Sequence, residues 1–296
     1  MDRRDFLKIS SLSVLNFLFS RKDVFASKNR LEQRVNVNLP AYSLTLTNFL
    51  GRNLEETFIF PIGIGKGHGG RRQTPIGRGF IYDKRKEITF RYGADYPNIK
   101  IKKGDIIKWT NTYDEHGKPK GYPMPYSQMR GLGMMIKTNL FDYSNNFVIH
   151  STTDEFTIGT PTSSGCLRVG MEDMLNLYDR ISPSTIQGDL KKIVPIKISY
   201  NLIELDQETI KLHANVYNKN IDIIQEFKEK ITETDFNQED FDYNKMKKAF
   251  TSANRKFRIT HKRILKVLSK HHPHNFVPLY LKENLHKTYK TYNFLR

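Results

Sequence analysis

At 296 residues the chain is long enough for one or two domains with packed cores, and its 38% apolar residues can supply them. Its 48 Lys and Arg against 31 Asp and Glu leave a net charge of +17. Past the N-terminal segment no apolar run approaches the roughly 20 residues of a membrane-spanning helix. The single cysteine, Cys166, excludes an internal disulfide framework.

The first residues, Asp2 to Lys8, carry the pair Arg3 and Arg4 followed by Phe6, Leu7 and Lys8, then a modest apolar run from Ile9 to Phe19 and a small-residue exit at Val24, Phe25 and Ala26. A charged start, a short apolar middle and an A-x-A-like end are the three parts of an export signal. The paired arginines resemble the twin-arginine type. Residues 1–26 are expected to be removed, leaving a mature chain that starts near Ser27. With no cysteine at that point, a lipid-modified N-terminus is not expected. Oxidising compartments pair thiols, so one unpaired cysteine in an exported chain points to a reactive role.

From Arg34 to about Ile107 short β-rich runs alternate with glycine and turn clusters: Val35 to Leu39, Ser43 to Phe49, Thr57 to Pro61, Gly79 to Asp83 and Asp105 to Thr110. That spacing predicts a mainly β fold, a sandwich or barrel-like sheet. The glycine-rich run Ile62 to Gly70 lacks the GK[ST] ending of a phosphate loop and opens no periodic helix, so it is expected to be a flexible loop. Residues Asn111 to Met135 are turn-rich and read as irregular, with Tyr126, Met134 and Met135 as candidate walls of a substrate groove.

An apolar run then ends in His150, sixteen positions before Cys166 in Ser163-Ser164-Gly165-Cys166-Leu167-Arg168. Most lone cysteines are inert core fillers. Here a Ser-Ser-Gly run before the thiol and an arginine two residues after it are poor core neighbours. A free thiol has a pKa of about 8.5 and needs a base or a positive charge to react near neutrality. His150 and Arg168 are in place to supply both. Gly165 admits a close backbone approach, and nearby N–H groups could hold an oxyanion. The chemistry that fits is acyl transfer.

Glu172 to Ile181 reads as a short helix with Met174, Leu175, Leu177 and Tyr178 as its apolar stripe. Val194 to Tyr200 and Lys211 to Tyr217 read as closing strands. Beyond them Ile224, Phe227 and Ile231 at helical spacing, a helix near Tyr243 to Phe257 and another near Thr260 to Ser269 make an α-helical appendix. Between Lys245 and Arg296 fourteen basic residues face one acid, Glu283. Its basic amphipathic stretch, with Ile264, Leu265 and Leu268 as the stripe, suits an anionic surface or packs on the preceding domain. The cluster His271, His272 and His274 has no acids or cysteines around it and is not read as a metal site.

His150, the run Ser163-x-Gly165-Cys166-x-Arg168, the following Glu172-Asp173 and Leu177-Tyr178, and Thr74-Pro75-Ile76-Gly77 upstream resemble the signature of the L,D-transpeptidase catalytic domain (YkuD-like) family. The resemblance runs from about Arg34 to about Tyr217. It implies an exported catalytic domain over 34–217, after the signal 1–26 and before a basic helical region 218–296. It implies Cys166 as nucleophile and His150 as base, acting on peptidoglycan stem peptides in the periplasm or cell envelope with no metal or organic cofactor. Ser164 and Gly165 would serve through their backbone and Arg168 as electrostatic support. Two positions depart from the family pattern, with Ser151 where glycine usually follows the histidine and Ser164 where histidine is frequent. Ser164 is then expected to orient His150 through its main chain. Two other readings stay open: an exported Cys/His murein hydrolase or trimming carboxypeptidase, and a wall-binding module without catalysis. Nucleic-acid binding fits the charge, but export argues against it.

Overall fold

A computed structural model of the chain describes residues 31–67, 72–91, 95, 97, 100–107, 109–110, 124–125, 129–138, 144–152, 157–181, 193–206, 209–232, 241–270 and 291–292. Residues 1–26, read as an export signal, Tyr126 and the histidines of 271–274 lie outside them. In β1 (Leu31–Asn38) Val35 and Val37 are buried while Glu32, Arg34 and Asn36 are exposed. In β2 (Ser43–Leu50) Leu44 and Leu46 are buried between half-exposed Ser43, Thr45 and Thr47. This period of two sends every second side chain into one interior.

The remaining strands follow as β3 (Asn53–Gly65), β4 (Gly77–Arg85), the two-residue β5 (Phe90–Arg91), β6 (Ile106–Ile107), β7 (Trp109–Thr110) and β8 (Met124–Pro125), then β9 (Gly131–Lys137), β10 (Ser144–Thr152), β11 (Pro161–Ser163) and β12 (Leu167–Gly170). Helix α1 (Met171–Arg180) comes next, then β13 (Val194–Ser199). Nine strands form one sheet in the order β11-β3-β12-β10-β9-β4-β13-β1-β2, and β2 pairs back onto β3, closing the sheet into a barrel. Most neighbours run antiparallel; β1–β13, β10–β12 and β11–β3 are parallel. Inside lie Leu44, Ile62, Ile81, Leu132, Ile149 and Leu167, all fully buried, and α1 adds Met174, Leu177 and Tyr178.

Five expectations change here. The start of the glycine-rich run, Ile62 to Gly65, is strand rather than loop: it is the end of β3, paired with β12 and β11. Residues Gly131 to Met135, read as irregular, belong to β9, a barrel strand between β10 and β4. Within β9 Met134 is fully buried in the core, so its thioether packs and does not wall a groove. Met135, one residue on, points to the other face and is 9% exposed.

The fourth concerns the closing strands. β13 does close the barrel, but the segment read as a strand from Lys211 to Tyr217 is β-structured only to Leu212. There β15 (Thr209–Leu212) pairs with β14 (Ile203–Asp206) on one side and β16 (Thr291–Tyr292) on the other, in a separate sheet. Leu202, Ile203, Ile210 and Leu212 form a second core with Ile223, Phe227 and Ile231 of α2 (Ile223–Ile231) and with Met246 and Phe250 of α3 (Tyr243–Lys270). α2 is capped by Asp222, whose carboxylate accepts the N–H of Ile224 at 2.9 Å and of Gln225 at 3.3 Å. The two helices expected in the tail are one, α3. After β15 the chain returns to the barrel: Ala214, Val216 and Tyr217, together with Phe257 of α3, are part of the barrel core.

Candidate active site

Strands β10 and β12 run parallel with Ile149 beside Leu167 and His150 beside Arg168. Cys166, immediately before β12, therefore lies opposite Val148. Because alternate residues share a face, Val148, His150, Cys166 and Arg168 project from one side of the sheet, while Ile149, Leu167 and Val169 project into the core and are fully buried. His150 and Cys166 are diagonal neighbours on that face, a spacing of about 7 Å between backbone positions in a sheet and within side-chain reach.

The histidine is buried and its ring is held at Nδ1. Its Nδ1 stands 2.8 Å from the carbonyl of Ser151, an arrangement that puts the proton on Nδ1 and leaves Nε2 as the acceptor. Ser151 is itself anchored to the residue before β9: its hydroxyl accepts the Arg130 N–H at 2.9 Å and donates to the Arg130 carbonyl at 3.2 Å, and its own N–H donates to that carbonyl at 3.0 Å. The serine that departs from the family pattern is thus a clamp. The carbonyl that meets Nδ1 is that of Ser151, where Ser164 was expected. Burial, and then the positive charge of Arg168, push the His150 pKa down to about 4 against the opposing Ser151 contact.

The cysteine sits half-buried at the end of a tight turn. Ser163 Oγ donates to the Cys166 carbonyl at 2.5 Å and accepts the N–H of Gly165 at 3.1 Å. Gly165 has φ +121, and a β-carbon there would lie 3.0 Å from the Phe147 ring, so only glycine fits. Burial pushes the Cys166 thiol up, while a backbone hydrogen bond from Val148 and the charge of Arg168 work the other way. The resting pair is therefore a neutral thiol beside a neutral imidazole. Ser164 is exposed at the turn, and Arg168, half-buried, touches both partners electrostatically.

One group escaped the reading of the sequence, and another was marked without its partner. Lys66, within the run taken for a loop, donates its N–H to the Ser163 carbonyl at 2.9 Å, and its side-chain pKa is lowered by burial and then by Arg168 and Arg72. Arg168, which acts on the thiol, thus has Lys66 within its electrostatic reach, and Lys66 has Arg72. Thr74 of the Thr-Pro-x-Gly motif is 1% exposed and its hydroxyl accepts the N–H of Gly65 at 3.0 Å, fastening the end of β3. The motif marked Thr74 but not its partner.

Comparison with known proteins identifies the family of this domain. The profile of the L,D-transpeptidase catalytic domain (YkuD) matches residues 32–198, more than half of the chain. A probable L,D-transpeptidase of Escherichia coli K12, YcfS, is 28% identical over 146 residues, 48% of this chain and 39% of its own length. The chain thus spans about two fifths of that relative. Among solved structures, an L,D-transpeptidase from Mycobacterium smegmatis is 16% identical with a TM-score of 0.31, covering 57% of this chain and 59% of its own. Bd1075 of Bdellovibrio bacteriovorus is 19% identical with a TM-score of 0.33, covering 57% and 48%. On the match over residues 32–198, the chain belongs to the L,D-transpeptidase catalytic domain family.

Proposed function

We propose that the protein is a peptidoglycan L,D-transpeptidase in which Cys166 is the nucleophile and His150 the general base. The observation that carries this reading is the parallel register of β10 and β12, which sets the two side chains on one face of the sheet. His150 Nε2 takes the thiol proton as Cys166 Sγ attacks the carbonyl between a diamino acid and the terminal D-alanine of a tetrapeptide stem. The tetrahedral intermediate collapses to a thioester, and the same proton passes to the leaving amine of D-alanine. An amine of a second stem then attacks the thioester, gives its proton to His150, and the thiolate leaves and is reprotonated. Because both partners rest neutral, the proton moves as the carbon–sulfur bond forms.

The Gly165 N–H is committed to Ser163, so the N–H of Cys166 is the backbone donor assigned to the oxyanion. Arg168, always charged, supports the developing negative charge and carries no proton. With Lys66 and Arg72 it gives the site a positive field suited to the carboxylate of a stem terminus. The chain acts after export, in the periplasm or cell envelope, on the strength of Arg3-Arg4-x-Phe6-Leu7-Lys8. Replacing both arginines by lysine should leave uncleaved precursor in the cytoplasm. The exposed Lys247, Lys248, Arg255 and Lys256 of α3 fit adhesion to an anionic envelope surface.

Mass spectrometry of wall fragments after incubation with the mature protein tests the reaction. Crosslinked stems support transpeptidation. Stems that only lose D-alanine replace it with the trimming carboxypeptidase, and unchanged stems overturn both.

A further inference from the structure

Tyr217 lies past the matched segment 32–198, yet it is 8% exposed and built into the barrel core. Its hydroxyl accepts the backbone N–H of Thr74 at 3.1 Å. Its ring lies against Gly67, which has φ +73, where a β-carbon would come within 2.7 Å of Cδ1. One residue from Thr74, the Gln73 carbonyl lies 3.3 Å from where a β-carbon of Gly165 would stand. Thr74 in turn receives Gly65 N–H, and the next residue, Lys66, donates its N–H to Ser163, whose hydroxyl holds the Cys166 carbonyl. Two short paths thus join Tyr217 to the turn that carries the thiol.

Behind Tyr217 the contacts lead into the C-terminal region. Its own N–H donates to the Tyr200 hydroxyl at 2.7 Å, the two rings stack with centroids 5.6 Å apart, and Tyr200 donates to Asn215 Oδ1 at 2.8 Å. The Asn215 N–H donates to Asn254 Oδ1 of α3 at 2.7 Å, and Phe257, one turn further along that helix, is buried in the barrel core. Burial pushes the Tyr217 hydroxyl up to about 12 and that of Tyr200 higher still, so the network stays neutral wherever the enzyme works.

We propose that Tyr217, held in turn by Asn254 of α3, is a positioning residue for the Cys166 turn, so that residues beyond the matched catalytic segment set the rate at which the thiol is acylated. The Thr74 N–H is a buried backbone donor that needs an acceptor. Tyr217 gives it one while its ring wedges the 65–67 segment against the turn. A reacting group displaced by about 1 Å can lose on the order of a hundredfold in rate. This inference rests on the reading of Cys166 as nucleophile.

The test uses the full mature chain and a carbapenem that acylates the thiol, followed by intact-protein mass spectrometry over a range of inhibitor concentrations. That range separates the maximal acylation rate from the apparent dissociation constant. Tyr217→Phe keeps the ring on Gly67 and removes only the acceptor. It should lower the maximal rate by about tenfold to a hundredfold with the dissociation constant unchanged. Asn254→Ala should lower it less, and Asn254→Asp, which keeps an Oδ1 acceptor, should restore it. A folded Tyr217→Phe acylated at the wild-type rate overturns the proposal. So does a loss confined to the dissociation constant. Should Tyr217→Phe fail to fold, the Asn254 pair decides: equal rates for alanine and aspartate overturn the control from α3, and a loss restored by aspartate supports it. If the wild type itself gains no adduct at Cys166, the reading of the nucleophile fails instead.

Discussion

Two buried histidines lie beside neighbours of opposite charge. On the barrel face, His150 lies beside Arg168, and burial with that cation holds the ring neutral, with a pKa near 4. At the junction to the C-terminal region, His213 is 4% exposed and its Nε2 stands 3.1 Å from a Glu204 carboxylate oxygen. The hydrogen bond and charge of His213, then Asn38 at 2.7 Å, outweigh the burial that would raise Glu204 and hold its carboxyl down at about 2. A cation beside an imidazole keeps a lone pair available for proton transfer. An anion spends the ring on tying β14 and β15 to β1. Burial alone distinguishes nothing here; the sign of the adjacent charge does.

The sharpest way to break the contrast is to remove the site groups. Cys166→Ala should abolish the carbapenem adduct seen by intact mass, and an alanine variant that still gains the mass would exclude Cys166 as nucleophile. His150→Ala should slow labelling by about 10²- to 10⁴-fold, whereas His213→Ala, assayed where it remains folded, should label at close to the wild-type rate. Equal rates for the two variants would erase the distinction.

Acid separates His150 from Glu204 next. The folded pKa of His150, about 4, lies below the ordinary 6.5 of the unfolded chain, so between those values the unfolded state binds more protons. The stabilisation is complete above about pH 6.5 and is lost as pH falls through 4, up to about 3 kcal/mol. Glu204 has the same sign at lower pH: its contribution is complete above about 4.5 and is lost as pH falls toward 2. Denaturant midpoints measured across pH should show two successive losses, and His150→Gln should lack the upper one. Acylation should likewise persist well below pH 6.5 and fail near pH 4.

Smaller effects sharpen the comparison. Gly165→Ala forces a β-carbon into a left-handed turn and against Phe147, and should cost about 1–3 kcal/mol together with most of the acylation rate. Glu204→Gln should cost about 1–2 kcal/mol, since the Glu204 side chain is 37% exposed and solvent screens part of the pairing; its acylation rate should stay unchanged. Smallest of all, replacing Lys247, Lys248, Arg255 and Lys256 with glutamine should weaken sedimentation with isolated envelopes at low salt only, because each such charge is worth at most about 1 kcal/mol and is screened. Sedimentation unaltered at every salt concentration would remove the adhesive role of α3.

The alternation of Val35 and Val37, of Leu44 and Leu46, and of Val194, Ile196 and Ile198 made the barrel strands legible, as the apolar stripe of Met174, Leu175, Leu177 and Tyr178 made α1, although Leu175 is 42% exposed. The site showed through its unusual residue types, a lone thiol after Ser-Ser-Gly and a histidine closing an apolar run. What stayed hidden is what tertiary pairing decides. Gly63 and Gly65 read as loop because glycine disfavours strands in isolation, yet β12 and β11 pair there. Met134 resembled a groove residue because type says nothing about which way a strand faces until its register is known. Lys211 to Tyr217 looked like one strand, but two cores compete for it. The Ser151 clamp on Arg130, and the Tyr217 contact with Thr74 across 143 residues of sequence, leave no local signal at all.

Closure of the barrel carries a kinetic consequence. Val35 must find Ile196, and Ile62 must find Val169, before the sheet can close. Such distant pairings bear the cost of loop closure before their contacts repay it and form slowly. Until then Cys166 and His150 are an ordinary thiol and an ordinary imidazole, with unshifted affinities for protons and no fixed geometry. The proposed pair of Cys166 and His150 therefore takes its working geometry only when β10 and β12 are seated in the closed sheet.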